Sequence, residues 1–228
     1  MIYITGDTHG DISRFKKPMF RKIRKRDTLI ICGDFGFIWD GSKKEKNTLK
    51  KLGKRRYDVL FVDGVHENFT ELEQYEIESW NGGNTRKISG KLRQLMRGQV
   101  FEIEGKRIFT FGGGNRDEDD KPVSGSKEKP SEAEFNEGMA ALEEVGFTVD
   151  YVISYEPPTQ ITEFLALNKP ERDKASHYLD EINEKTEYRR WFFGRHHINK
   201  IVTSKFFALF DNVINAEYTP NVKNKKGL

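Results

Sequence analysis

Asp7 and His9 stand two residues apart in Gly6-Asp7-Thr8-His9-Gly10, directly after the apolar run Ile2-Tyr3-Ile4-Thr5. A carboxylate and an imidazole are oxygen and nitrogen donors for a divalent cation. The arrangement recurs along the chain. Leu29-Ile30-Ile31-Cys32 runs into Gly33-Asp34, and Val59-Leu60-Phe61-Val62 into Asp63-Gly64-Val65-His66-Glu67-Asn68. Trp191-Phe192-Phe193 runs into Gly194-Arg195-His196-His197. Each time a short apolar strand meets glycine and a side chain able to hold a metal, as open α/β sheets build sites on the loops past the carboxyl ends of their strands. Any one such turn is weak, because Asp and Gly are ordinary turn formers.

Taken in order, these motifs resemble the calcineurin-like metallophosphoesterase superfamily, whose pattern is D-x-H, G-D, G-N-H-[DE], a lone His after a strand, and G-H-x-H. Asp63 to Phe69, Met96 to Gly113 and Trp191 to Gly194 look like a small bacterial and phage branch of it. The resemblance covers the chain to about Ile214, and the ordered set is far more specific than its parts. It implies an α/β fold, the four-layer αββα sandwich of that family. It further implies that Asp7, His9, Asp34 and His197 hold one metal and that His66 is the general acid.

The departures from the family pattern fall on one side. The resemblance assigns the second metal to the shared Asp34, an Asn, the lone His and the first His of G-H-x-H. Those last three positions here read Val65, Tyr155 (within Ser154-Tyr155-Glu156-Pro157-Pro158-Thr159) and Arg195. Valine has no lone pair, and a guanidinium has no acceptor and stays protonated. A phenol is a poor ligand unless deprotonated. Arg195 has two readings: a fork of donors replacing the cation and gripping a phosphoryl oxygen, or an ion pair with Asp34 that fills the hole. Tyr155 either reaches a phosphate oxygen or packs as an aromatic. His196 points away from the metal if its segment is extended, and His177 reads as a solvated helix histidine.

The mixed set of two carboxylates and two imidazoles suits one Mn, Fe or Zn ion per chain and argues against a thiolate zinc site. Two ions would clamp attacking and leaving oxygens together; losing that clamp costs on the order of 10³-fold in rate, or several kcal/mol. Donors aimed at developing charge, such as Arg195, offset part of it. Two functions stay open. One is a single-metal hydrolase of phosphate mono- or diesters, with Asp34, His66 and Arg195 in catalytic roles and Arg195 and Tyr155 binding phosphate. The other is an inactive relative that binds a nucleotide, a nucleic acid or a protein.

Composition bounds the setting. In 228 residues, 36% are hydrophobic and 33% charged, with 17 Phe and 8 Tyr as bulky core material. The net charge of +3 implies no global attraction to polyanions. The single cysteine excludes an intramolecular disulfide and fits a reducing compartment. Cys32 reads as a small buried hydrophobe. No stretch is apolar enough to span a membrane. The first strand starts at Ile2 and its candidate ligands follow by residue 9, so no cleaved leader and a cytoplasmic location are expected.

The elements that must position these residues alternate strand and helix. Phe15, Met19, Phe20 and Ile23 predict a helix over 13–26, with eight Lys or Arg on its remaining face. That face reads either as solvated or as a groove for nucleic acid. Lys43 to Arg56 predicts a second basic helix. A hairpin around Gly105 joins 99–104 to 106–111. Ser131 and Glu134 open a helix to Val145 with capping-box spacing. A strand over 150–154, a helix over 170–185 and closing antiparallel strands over 200–213 follow. The polar run 114–130 predicts a mobile loop beside the site, a lid or a partner surface. Residues 1–215 are expected to form the metallophosphoesterase-like domain and 216–228 a polar tail.

Overall fold

The computed structural model describes residues 1–115, 127–165 and 174–219. In chain order the strands are β1 (Ile2–Thr5), β2 (Thr28–Cys32), β3 (Asp58–Val62), β4 (Ile77–Trp80), β5 (Gly83–Ser89), β6 (Leu92–Leu95), β7 (Gln99–Ile103), β8 (Lys106–Phe111), β9 (Thr148–Ser154), β10 (Glu187–Phe193), β11 (Lys200–Ile201), β12 (Phe206–Ala208) and β13 (Ile214–Asn215). The helices are α1 (Pro18–Arg21), α2 (Lys43–Gly53), α3 (Phe69–Leu72), α4 (Glu132–Glu144), α5 (Thr159–Phe164) and α6 (Lys174–Lys185).

Two sheets result, ordered β13-β1-β2-β3-β6-β5-β4 and β11-β12-β10-β9-β8-β7. In the first, β1, β2, β3 and β6 are mutually parallel. In the second, β8, β9, β10 and β12 are. Strand periodicity divides the apolar residues among three cores. Leu29 and Ile31 of β2 face outward with Leu49 and Leu52 of α2. Ile30 and Cys32 face inward, between the sheets, with Ile153, Phe192 and Phe207. A third core lies between the second sheet and α4 and α6, around Phe109, Phe135, Leu179 and Trp191. The layers therefore run helix, sheet, sheet, helix. β2 and β3 are buried along almost their whole length, as central parallel strands covered on both faces must be.

Local signals explain most boundaries. Ser42 accepts from Glu45 N at the start of α2, and the helix ends at Gly53. Ser131 and Glu134 form the reciprocal capping box of α4. The turn between β7 and β8 puts both Glu104 and Gly105 at positive φ, as a tight hairpin requires. The helix expected over 13–26 is instead a 3-10 turn at Arg14–Lys16 followed by the four-residue α1. Pro18 is the cause: it starts α1 but cannot continue a preceding helix, and it forces Lys17 to an extended ψ of 149°. Phe15, Phe20 and Ile23 are nonetheless buried. The β4-β5-β6 meander was not anticipated from the sequence. The closing strands are only partly antiparallel, since β12 pairs parallel with β10 as well as antiparallel with β11. The expected loop lies largely outside the described residues, as do 220–228 of the expected tail. No described helix is long and apolar enough to cross a membrane.

Candidate metal centre

Both sheets end their parallel strands on one edge of the molecule, and the candidate residues follow there. Asp7 and His9 come after β1, Asp34 after β2, His66 after β3, Tyr155 after β9, and Arg195 and His197 after β10. The first two loops are tied together: Thr8 N and His9 N both donate to Asp34 O, at 3.1 and 2.9 Å, and Gly10 N to Phe35 O. Four site residues hold left-handed backbone, His9 (φ 45°), Asp34 (39°), Arg195 (54°) and His197 (51°). Such φ costs a residue with a Cβ about 1–2 kcal/mol, and it persists where surrounding structure enforces it, most often at functional sites.

One ligand atom from each of Asp7, His9, Asp34 and His197 lies within 4.8 Å of all the others. Nε2 of His9 and Nε2 of His197 are 2.9 Å apart, a span that two nitrogens bound about 2.1 Å from one cation would cover. His197 Nε2 is 3.1 Å from Asp7 Oδ2, close enough for an ion pair but not aligned as a hydrogen bond. Both Asp7 oxygens are thus buried without a hydrogen-bond partner. Burial pushes the Asp7 carboxyl upward, opposed by His197. Contact with Asp7 raises His197, while burial lowers His9. A buried carboxylate without donors, beside a second carboxylate and two imidazoles, is the chemistry of a site that fits a divalent cation. Gly194 leaves room for the Asp7 carboxylate: a Cβ there would lie 2.0 Å from Asp7 Oδ1.

Asp34 is held differently. Its Oδ1 accepts from His66 N at 2.8 Å, and its Oδ2 lies 2.8 Å from His66 Nδ1. The Tyr155 hydroxyl donates to the same Oδ2 at 3.0 Å. Burial works to raise the Asp34 carboxyl, but the ring and backbone of His66 outweigh it and hold it low. The Tyr155 hydroxyl goes the other way, driven well up by burial and by the charges of Asp34 and Asp7, against the pull of Arg195. It is therefore a neutral phenol and a donor.

Of the two readings of Tyr155, the structure shows the packed aromatic. Its side chain is 1% exposed, its hydroxyl serves Asp34, and its ring lies so close to Gly33 that a Cβ there would meet it at 2.1 Å. The ion pair considered between Arg195 and Asp34 is also not formed. Arg195 lies over the Tyr155 ring, 5.7 Å from its centroid, with Nε 3.9 Å from Glu156 Oε1. Val65 is fully buried. His196 is not in the quartet; its ring is 6.2 Å from that of Phe193. His177 is exposed on α6, and Cys32 is buried.

Glu67 was named in the sequence only as part of a motif. It is buried and accepts from Phe35 N at 2.6 Å and Gly36 N at 3.1 Å, bracing the turn that carries Asp34. The signal for it in the sequence is the acidic position of the G-N-H-[DE] pattern, which Glu67 fills.

A family model for calcineurin-like phosphoesterase matches residues 1–204. The chain belongs to the calcineurin-like phosphoesterase family. No curated protein matches it. Family membership and the quartet together make this edge of the sandwich the phosphoesterase's candidate metal centre.

Proposed function

We propose that this phosphoesterase hydrolyses phosphate mono- or diesters with a single divalent ion, Mn, Fe or Zn, held by Asp7, His9, Asp34 and His197. The observation that carries the reading is the pairing of an intact quartet, whose buried Asp7 lacks donors, with a Tyr155 hydroxyl bonded to Asp34 Oδ2. The neutral phenol donates to Asp34 from a position where the family pattern has a second-metal ligand, and Val65 and Arg195 offer no lone pair, which supports one ion rather than two. Bound by the quartet, the cation supplies Lewis acidity toward a phosphoryl oxygen and the attacking water.

The chain's own residues do the rest. Asp34 orients His66 through Nδ1 and the backbone amide, which directs Nε2 away from Asp34. A half-buried imidazole oriented this way can deliver a proton to the leaving oxygen. Arg195, over the ring of the Tyr155 that donates to Asp34, supplies fixed positive charge for the phosphoryl oxygens. Tyr155 positions Asp34 and Arg195 together and is not itself a phosphate ligand. Turnover is slow, because no second cation shares the acidification of the nucleophile.

The test is elemental analysis of protein reconstituted with Mn(II), combined with hydrolysis of a generic aryl phosphate. One ion per chain with metal-dependent turnover is expected. Two ions per chain would refute the single-site reading. One ion with no turnover on mono- or diesters would make the protein a binding relative.

A further inference from the structure

The net charge of +3 conceals a strong asymmetry. Residues 14–56 hold sixteen Lys or Arg and four Asp or Glu, so the remainder of the chain is net acidic by nine charges. The fold joins the two basic stretches. Arg56 Nη2 donates to Ile23 O at 2.7 Å and to Arg21 O at 3.1 Å, and Arg26 N donates to Arg56 O. The segment 21–27 precedes β2 and 54–57 precedes β3. This surface therefore sits at the amino ends of the strands, the edge opposite the metal quartet. β2 alone, with five residues, separates the two edges by about 17 Å.

Lys22, Arg24, Lys25, Arg26, Lys51 and Lys54 are all exposed there. Among the described residues none of them forms an ion pair, whereas Lys17, Arg93 and Arg97 elsewhere do. Three carboxylates border the cluster: Asp27 is buried, pairs with the N-terminal ammonium at 3.0 Å and accepts from Arg24 N at 2.6 Å, Glu104 lies 3.3 Å from the same ammonium, and Asp58 is half-buried at the start of β3. The dipole of α2 favours Lys50 and Lys51 in its last turn, but 22–26 is not helical and has no such support. Unpaired like charges repel and destabilise the compact state. A polyanion is what relieves them.

We infer that this basic edge docks the phosphate backbone of duplex nucleic acid, away from the metal centre and without base specificity. Duplex DNA offers about one charge per 1.7 Å along a stiff axis, which suits cations spread over two segments. Among the described residues, the exposed large apolar side chains are Met1, Trp39, Ile77, Phe164 and Tyr218. None belongs to either basic segment, though Met1 borders them through Asp27. The surface therefore lacks the aromatic platforms that stack single-stranded bases and the apolar face that enters a bilayer.

The test is fluorescence anisotropy with a labelled DNA duplex of about 20 base pairs, at 50 to 200 mM salt. The wild-type chain is compared with the variant Lys22→Glu, Arg24→Glu, Lys25→Glu, Lys51→Glu, Lys54→Glu, its fold checked by circular dichroism. Five phosphate contacts give a slope of log K against log salt of about −4.5. The charge-reversed variant should lose binding at least about tenfold. Aryl phosphate hydrolysis is measured in both, since the readout of binding does not depend on turnover. A milder variant with Gln at the same five positions should weaken binding less and covers the case in which the Glu variant fails to fold. Duplex binding that the substitutions leave untouched, or none at the lowest salt, would overturn the inference. So would capture by phosphatidylserine vesicles without duplex binding.

Discussion

At the scale of single residues, the departures at Tyr155 and Arg195 meet each other, and the one at Val65 is buried. Tyr155 caps Asp34, Arg195 covers Tyr155, and Val65 fills space without a lone pair. If these replacements are what removed a second ion, the variant Val65→Asn, Tyr155→His, Arg195→His should bind two Mn(II) per chain by elemental analysis and hydrolyse aryl phosphate faster than wild type. A stoichiometry that stays at one would show that these positions do not surround a second site. Glu67 gives a test by pH. Burial, reinforced by Asp34, raises its carboxyl well above the ordinary 4.5. A raised folded pKa means that the unfolded chain releases this proton first, so stability falls as pH climbs from about 4.5 toward the folded value. Gln cannot titrate. The urea midpoint of Glu67→Gln should therefore gain on wild type between pH 4.5 and pH 8, whatever fixed offset the lost carboxylate causes. Parallel pH profiles would mean that Glu67 is ionised in both states.

At the scale of elements, the sequence was most legible where a local rule acts alone. The capping box of α4, the hairpin at Glu104 and Gly105 and the strand-glycine-aspartate turns each depend on a few adjacent residues, and each is present. Legibility failed where two local rules compete. The apolar spacing of Phe15, Met19, Phe20 and Ile23 suggested one helix, but Pro18 overrode it, and the same side chains reach the core from a broken path. The β4-β5-β6 meander is hard to read in the sequence because its edge strand β4 buries no residue fully, and Glu78, Arg86 and Lys87 interrupt the apolar pattern of β4 and β5. The cap of α4 can be weighed directly. Ser131 Oγ accepts from Glu134 N at 3.3 Å, and Glu134 Oε2 accepts from Ser131 N at 2.7 Å. Ser131→Ala removes the first bond and the hydroxyl's own donation to Glu134 Oε2 at 2.8 Å, leaves the backbone bond, and should cost about 1 kcal/mol, read as a lower urea midpoint with an unchanged m-value.

At the scale of the whole molecule, one buried ion pair joins elements that the chain separates widely. Arg97 Nη2 lies 2.7 Å from Asp63 Oδ2, beneath α4, and also donates to the carbonyls of Lys127 and Glu128. Nη1 of Arg97 reaches Glu134 at 3.3 Å. Gln94 donates to the other Asp63 oxygen at 3.0 Å. The cluster thus locks the end of β3, the residues after β6 and the start of α4 into one arrangement next to the His66 turn. Arg97→Leu strands Asp63 without its cation and should cost about 3–5 kcal/mol in chemical denaturation. Adding Asp63→Leu should recover much of that loss, because no charge is then left buried. A double variant no more stable than Arg97→Leu would show that the hydrogen bonds to 127–128, rather than the charge pair, hold these layers.

The family and the four candidate ligands are legible in the chain alone, because each motif is a short run of adjacent residues and the motifs come in a fixed order. The sequence also exposed the two basic runs, but not that they share one edge. Which side chain caps Asp34 was decided only by tertiary structure. Tyr155 and Arg195 leave different strands some forty residues apart, and both were free to reach that carboxylate until β9 and β10 paired and Gly33 admitted the phenol ring. The reason is geometric: the covalent chain fixes neighbours in sequence, whereas strand register and close approach fix neighbours in space.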